Sequence, residues 1–88
     1  MGIEVQVGKY YMMRNGEVAY TTHARPKRVY SRVGVRASGS VVTWTPAGAF
    51  DRDVDFYEFD LVEELVDGDP RIAEFKALCA LEGYSHGN

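Results

Sequence analysis

The 88-residue chain has room for one domain, and its 45% hydrophobic and 26% charged residues exclude disorder over most of its length. A single cysteine excludes an internal disulfide and favours a reducing compartment, so we expect a cytoplasmic protein. No apolar run reaches the roughly 18 residues that a membrane-spanning helix needs, and the net charge of −3 indicates no particular class of partner.

The first two thirds of the chain has the alternation and the turn residues of a β-meander. Apolar and polar residues alternate from Ile3 to Val7, and Asn15-Gly16 separates two strand-like stretches. Asn-Gly favours a type I′ hairpin turn, in which both central residues have positive φ. We predict strands over residues 3–7, 9–14, 17–24, 29–36, 41–45 and 56–62.

Alternation within residues 29–36 predicts one buried face and one solvent-exposed face. The face that we expect to be buried carries Val29, Ser31, Val33 and Val35. The face that we expect to be exposed carries Tyr30, Arg32, Gly34 and Arg36.

Trp44 lies on the next predicted strand and shares a face with Val42. In so small a domain one tryptophan can bury a large share of the apolar area, so we predict that Trp44 belongs to the core. Pro46 and Gly48 indicate a tight turn after this strand, and the charged stretch "DRDVD" indicates an exposed loop.

The pattern changes to helical spacing near the end of the chain. Asp69 is a candidate N-cap, Pro70 suits the first helical position, and Gly83 follows the last turn. We therefore predict a helix over residues 70–82 that packs on the sheet. Its apolar side is formed by Ile72, Phe75, Leu78, Cys79 and Leu81.

Short antiparallel strands followed by one helix indicate an α+β fold. The architecture that fits best is a small antiparallel β-meander, or SH3-like partly open barrel, with one C-terminal helix. We expect a single domain over residues 1–84 and a flexible tail over residues 85–88.

The chain shows no catalytic constellation, and we expect a protein that is not an enzyme and has no cofactor or metal. Two histidines, His23 and His86, and one cysteine are too few for a zinc site. The alternating Asp51, Asp53 and Asp55 lack the glycine and the distal glutamate of an EF-hand loop.

The first candidate interaction surface is the basic segment, residues 25–36, which has five basic residues and no acidic one. Cations beside an aromatic ring suit the phosphates and stacked bases of single-stranded nucleic acid, although a dedicated binder is usually basic overall. The candidate partner-binding residues are Arg25, Lys27, Arg28, Tyr30, Arg32 and Arg36.

The second candidate surface is the acidic segment, residues 51–69, with nine acidic residues and one basic residue. Such a row of carboxylates could imitate the phosphates of DNA and occupy the DNA site of another protein. It could equally be a solvated face, or lie beside the basic segment so that the two neutralise each other. Its candidate residues are Asp51, Asp53, Asp55 and Glu58.

The first hairpin carries apolar side chains on both faces, because the pairs Tyr10-Tyr11 and Met12-Met13 each point to opposite sides. One of these faces must meet another element or a partner. A homo-oligomer is therefore a third possibility.

Three stretches within about residues 8–65, "GKYYMMRNGEVAY", "GSVVTWTPAGAF" and "FDLVEEL", resemble small accessory proteins of tailed phages and prophages. Those proteins combine a strand close to Y-x-T-R-D-G, a strand with W-x-x-x-G and a closing D-L-V. Here Met13 stands where the pattern often has Thr, and Asn15 where it often has Asp. The resemblance leaves out the C-terminal helix and implies no catalytic residues.

Such phage proteins often bind a host protein and block or redirect it. The leading hypothesis is therefore a non-enzymatic, phage-type accessory protein that binds and modulates or inhibits a host protein in the host cytoplasm. The alternatives are nucleic-acid binding through the basic segment, an acidic DNA mimic, and a homo-oligomeric structural component. We expect no membrane partner.

Overall fold

The computed structural model describes residues 3–50 and 57–81. Within these ranges the chain forms five strands and one helix. They are β1 (Tyr10–Met13), β2 (Val18–Ala24), β3 (Arg32–Arg36), β4 (Val41–Trp44), β5 (Leu61–Leu65) and α1 (Pro70–Leu81).

The strands form one antiparallel sheet in the order β4-β3-β2-β1-β5. The first four strands are a meander, and β5 returns to pair with β1. The edge strands β4 and β5 do not pair with each other within the described residues, but the Leu61 amide donates to the Gly48 carbonyl at 2.8 Å. The small, partly open α+β fold predicted from the sequence is therefore confirmed.

The β1–β2 turn differs from the predicted type I′ turn. The Met13 amide donates to the Glu17 carbonyl at 2.7 Å, and the Gly16 amide donates to the Met13 carbonyl at 2.9 Å. Gly16 has φ of 90°, whereas Asn15 does not have positive φ. This is a three-residue turn closed by a glycine bulge, and the type I′ prediction is wrong. The same hydrogen-bond pattern recurs from Arg36 to Ser40 and from Thr45 to Ala49.

Several strand boundaries also differ from the prediction. Residues 3–7 are not a strand but cross the sheet, where the Val5 amide donates to the Pro46 carbonyl at 2.9 Å. The third strand begins at Arg32 because residues 25–30 form a loop, and the last strand runs over 61–65 because residues 57–60 form a turn. Residue 56, the end of the predicted helix at residue 82, and the predicted tail at 85–88 lie outside the described residues.

Each face of the sheet has its own apolar cluster. The first cluster contains Val5, Tyr11, Met13, Ala19, Val42, Trp44 and Leu61, with Ile3, Phe50 and Phe59 packed against it. The second contains Val18, Val35, Leu65, Ile72, Phe75 and Cys79, with Tyr10, Met12, Tyr20 and Ala37 packed against it. Strand alternation divides the first hairpin between the two clusters, so both of its apolar faces are covered within the chain.

Trp44 is completely buried in the first cluster, as predicted. Its indole N–H donates to the Phe59 carbonyl at 2.7 Å, so the polar edge of the ring is satisfied. On β3, Gly34 lies against this ring: a Cβ there would sit 2.7 Å from Trp44 Cζ3.

The predicted exposed face of residues 29–36 is the face that packs against Trp44. Gly34 is buried, and Tyr30, Arg32 and Arg36 are each half-buried. The expectation of a solvated face is therefore wrong for these residues. On the opposite face Ser31, Val33 and Val35 are buried as predicted, whereas Val29 is exposed because it lies in the loop before β3.

Helix α1 begins at Pro70, as predicted. The Arg71 amide donates to Asp69 Oδ1 at 2.9 Å, which makes Asp69 the N-cap. Ile72, Phe75 and Cys79 are buried against the sheet, and the Phe75 ring meets the Tyr10 ring edge-on at 5.7 Å. Leu78 and Leu81, which were also predicted on the apolar side, are exposed, so the side of α1 that contacts the sheet is narrower than predicted.

Candidate functional site

Two arginines of the predicted partner-binding set are held by contacts within the chain. Arg32 Nε donates to the Val5 carbonyl at 2.8 Å and thereby fixes the N-terminal segment to β3. Arg36 Nη2 lies 3.0 Å from Glu17 Oε1, and its guanidinium lies 4.8 Å from the centre of the Phe59 ring. Both guanidinium groups therefore have structural roles on the face that carries Trp44.

The remaining predicted residues of the basic segment lie in the loop between β2 and β3. Arg25 Nη2 donates to the Tyr30 carbonyl at 2.9 Å, and Arg25 Nε is buried without a hydrogen-bond partner among the described residues. Lys27, with φ of 64°, and Arg28 are exposed at the tip of this loop. The structure thus divides the basic segment between a loop and an interior face, instead of forming one basic surface.

The acidic segment is only partly described, because Asp51, Asp53 and Asp55 lie outside the described residues. Glu58 is exposed in the turn before β5, where its carbonyl accepts the Asn15 amide at 2.9 Å. Asp60 Oδ1 accepts the Phe50 amide at 2.8 Å and lies near Arg14.

The expected mutual neutralisation of the basic and acidic segments is not seen among the described residues. Arg36 pairs with Glu17 instead, while the acidic segment pairs with Arg14 and Arg71. Arg71 contacts both Glu63 Oε2, at 3.0 Å, and Asp69 Oδ2, at 2.8 Å. Hydrogen bonds from Arg71 lower the pKa of Asp69 to about 2, and hydrogen bonds to Asp69 and Glu63 raise the pKa of Arg71.

The described structure contains a groove of about 490 Å³. We call it the helix groove, because one face of α1 forms one wall and the β1–β2 and β3–β4 turns form the other. Its floor is apolar, and its rim carries charged side chains. Apolar groups are contributed by Met12, Val18, Ala37, Phe75 and Leu78, and charged groups by Glu17, Arg36, Arg71 and Glu74.

The helix groove combines exposed apolar surface with charged side chains. Leu78 is 49% exposed, although it lies on the apolar side of α1. Three of the four rim charges are already paired within the chain, whereas Glu74 makes no ion pair among the described residues. A ligand would therefore meet an apolar floor and one available carboxylate, without having to break the chain's own ion pairs.

Two side chains of the second cluster have a pKa that is raised by burial. The Cys79 thiol is buried between α1 and the sheet, and burial raises its pKa. Burial also raises the pKa of Tyr10, so its hydroxyl is a weaker acid than usual. No group of three metal-ligating side chains is found in residues 3–50 and 57–81.

The sequence analysis did not identify the helix groove. Its walls come from three separate parts of the chain, and no local motif marks them. Leu78 was the one residue that could have indicated the groove. A short amphipathic helix contacts a sheet through a narrow stripe of residues, so an apolar side chain beside that stripe stays exposed. Leu78 lies beside the buried Phe75 and Cys79, at the margin of that stripe.

In the described part of the chain, no helix has the length and apolar character needed to cross a bilayer. No protein-family model, curated protein or solved structure matches the chain. Its function is therefore inferred from the geometry described above.

Proposed function

We propose that this protein acts by stoichiometric binding to another protein, whose apolar side chain enters the helix groove. The observation that carries this proposal is the apolar floor of the groove, open to solvent between α1 and the two turns. Protein interfaces are commonly built around an apolar anchor that fills a pocket with a polar rim.

The charges around the groove suggest the chemistry of the bound segment. The rim and the residues that pair with it contain two arginines and four carboxylates, so negative charge is in excess. The arginines are Arg36 and Arg71, and the carboxylates are Glu17, Glu63, Asp69 and Glu74. A segment with a Leu-like or aromatic anchor beside a Lys or Arg would complement both the floor and Glu74.

The resemblance to phage accessory proteins supports a more specific form of this proposal. The bound protein would belong to an infected host, and binding would inhibit or redirect it in the host cytoplasm. Nucleic-acid binding has less support, because Arg32 and Arg36 are used within the fold and Lys27 and Arg28 remain as a small exposed basic tip.

The test is affinity capture from bacterial lysate with three variants of the tagged chain. Leu78→Glu places a carboxylate in the groove, whereas Leu81→Glu places the same group on the same helix, at an 81% exposed position outside the groove. We expect the Leu78 variant to lose the captured protein and the Leu81 variant to keep it. Far-ultraviolet circular dichroism checks that both variants are folded.

The third variant, Lys27→Glu with Arg28→Glu, tests the basic loop. Under the groove proposal it captures the same protein as the unmodified chain, and nuclease treatment changes nothing. Capture that disappears with nuclease and with the loop variant would contradict the proposal and favour nucleic-acid binding. Capture unaffected by the Leu78 variant would show that the groove is not the site.

A further inference from the structure

The two edges of the sheet differ in how far they are protected against pairing with another strand. β5 carries the exposed Glu63 and Glu64, its register is interrupted by a bulge opposite Met12 and Met13, and its first amide is bonded to Gly48. Charges and bulges of this kind are the usual protection of an edge strand. β4 has neither: no charged residue occurs between Arg36 and Asp51.

The register of β3 and β4 shows which backbone groups of β4 point outwards. The Arg36 amide donates to the Ser40 carbonyl, so Gly34–Val42, two residues further along, is also a hydrogen-bonded pair. The intervening pairs, Val35–Val41 and Val33–Thr43, are then non-hydrogen-bonded, and the backbone of Val41 and Thr43 points away from β3. In agreement, the Val33 carbonyl accepts a bond from Thr22 Oγ1 on the other side of β3.

The outward groups of Val41 and Thr43 make no hydrogen bond with the described chain. Two amides and two carbonyls are therefore available on a β-branched edge, and the Val41 side chain is 69% exposed. The next outward amide, that of Thr45, is already bonded to the Ala49 carbonyl, which ends the open stretch.

We propose that β4 pairs with β4 of a second copy of this chain, antiparallel about a two-fold axis that passes beside Val42. In this register Val41 of each copy lies opposite Thr43 of the other, and the four open backbone groups on each side form four hydrogen bonds. The open stretch ends at the same residues on both copies, so the two stretches have equal length. The two sheets then form one continuous sheet across the dimer.

The open groups of β4 favour a second copy as the occupant, because the two amides and two carbonyls of Val41 and Thr43 are self-complementary about a two-fold axis. Each chain has a net charge of −3, so two copies repel each other over most of their surfaces. β4 lies within the longest uncharged stretch of the sequence, residues 37–50, and two copies can therefore approach at this edge without facing like charges. Val41 and Thr43 do not line the helix groove, so this contact is separate from the binding proposed there.

The test measures the mass of the full chain by sedimentation equilibrium over a range of concentrations. We expect a reversible dimer, twice the 9.9 kDa of one chain. Val41→Lys should raise the dissociation constant by at least about tenfold, because the substitution occurs twice in the contact. Val66→Lys is the matched control, since Val66 is equally exposed but lies beyond β5; it should leave the dimer intact.

The register has its own test. Thr43→Glu alone should also weaken the dimer, whereas V41K combined with T43E should restore it, because each Lys then lies opposite a Glu of the other copy. Amide hydrogen exchange of the unmodified chain gives a check without substitution: the Val41 and Thr43 amides should gain protection as concentration rises. A chain that is monomeric throughout, a dimer insensitive to V41K, or a double variant that stays monomeric would each overturn the proposal. So would an edge that pairs with an added peptide strand but not with its copy.

Discussion

At the scale of single residues, Gly34 shows how closely the Trp44 ring packs against the backbone of β3. A Cβ at this position would come within 2.7 Å of Trp44 Cζ3 and nearer still to the Tyr20 carbonyl oxygen. Trp44 cannot retreat, because its indole N–H is bonded to the Phe59 carbonyl. Because Gly34 has no side chain, the Trp44 ring can pack directly against the backbone of β3.

We expect Gly34→Ala to destabilise the fold by about 3 kcal/mol, because an extra methyl group in a packed core forces its neighbours to shift. The matched control is Gly8→Ala, where nothing lies within 4 Å of the new Cβ but φ is +83°. That substitution should cost about 1 kcal/mol from backbone strain alone. Urea unfolding of both variants gives the comparison, and equal losses would contradict the close contact with Trp44.

At the scale of elements, the start of α1 and the turns of the meander differ in how well they could be predicted. Asp69 and Pro70 define the start of the helix through interactions with their immediate neighbours, so the sequence was sufficient. Asn15-Gly16 fits both a type I′ turn and a three-residue turn with a glycine bulge. The choice depends on whether Arg14 or Met13 pairs with Glu17, and the register of whole strands decides that.

The error about the face of β3 has a similar cause. Arg32 lies opposite Trp44 and Gly34 lies opposite Val42, so these four side-chain positions share one face of the sheet. The prediction that Trp44 lies in the core and the prediction that Arg32 faces solvent therefore cannot both hold, because the pairing of β3 with β4 puts both residues on the same face. The arginine stays on the packed face because its Nε reaches the Val5 carbonyl, a contact that no local pattern reveals. The helix groove was missed for the same reason, since its walls meet only in the folded chain.

The N-cap of α1 gives a pH-dependent contribution to stability. Asp69 has a pKa of about 2 in the folded chain, below its ordinary value of 3.8, because of its hydrogen bonds with Arg71. Its stabilising contribution is thus present above pH 3.8 and is lost as the pH falls towards 2. An asparagine at this position would still cap the helix but could not titrate.

We therefore expect Asp69→Asn to be less stable than the unmodified chain at neutral pH, and this difference to shrink as the pH falls from 3.8 towards 2. Urea unfolding followed by circular dichroism at several pH values measures it. The difference between the two proteins at each pH isolates the Asp69 charge and its bonds to Arg71. A difference that stays constant with pH would show that the Asp69 charge does not stabilise the fold.

At the scale of the whole molecule, two apolar clusters share one thin sheet. Trp44 lies in the first cluster and Cys79 in the second, and each is almost completely buried. Strands β1, β2 and β5 supply side chains to both clusters. The other two strands, β3 and β4, pair with each other, and β4 contributes to the first cluster while β3 contributes to the second. A domain of this size has too little buried area for either cluster to persist alone, so the two should form and unfold together.

Trp44 and Cys79 make this cooperativity measurable without substitution, because each is the only residue of its kind in the chain. Trp44 fluorescence reports on the first cluster. Brief alkylation with iodoacetamide reports on the second, since the Cys79 thiol is shielded and its pKa is raised by burial while α1 stays docked. We expect both signals to change at the same urea concentration. Alkylation at a lower concentration than the fluorescence change would mean that α1 leaves the sheet first, and the wall of the helix groove that carries Leu78 would then open independently of the first cluster.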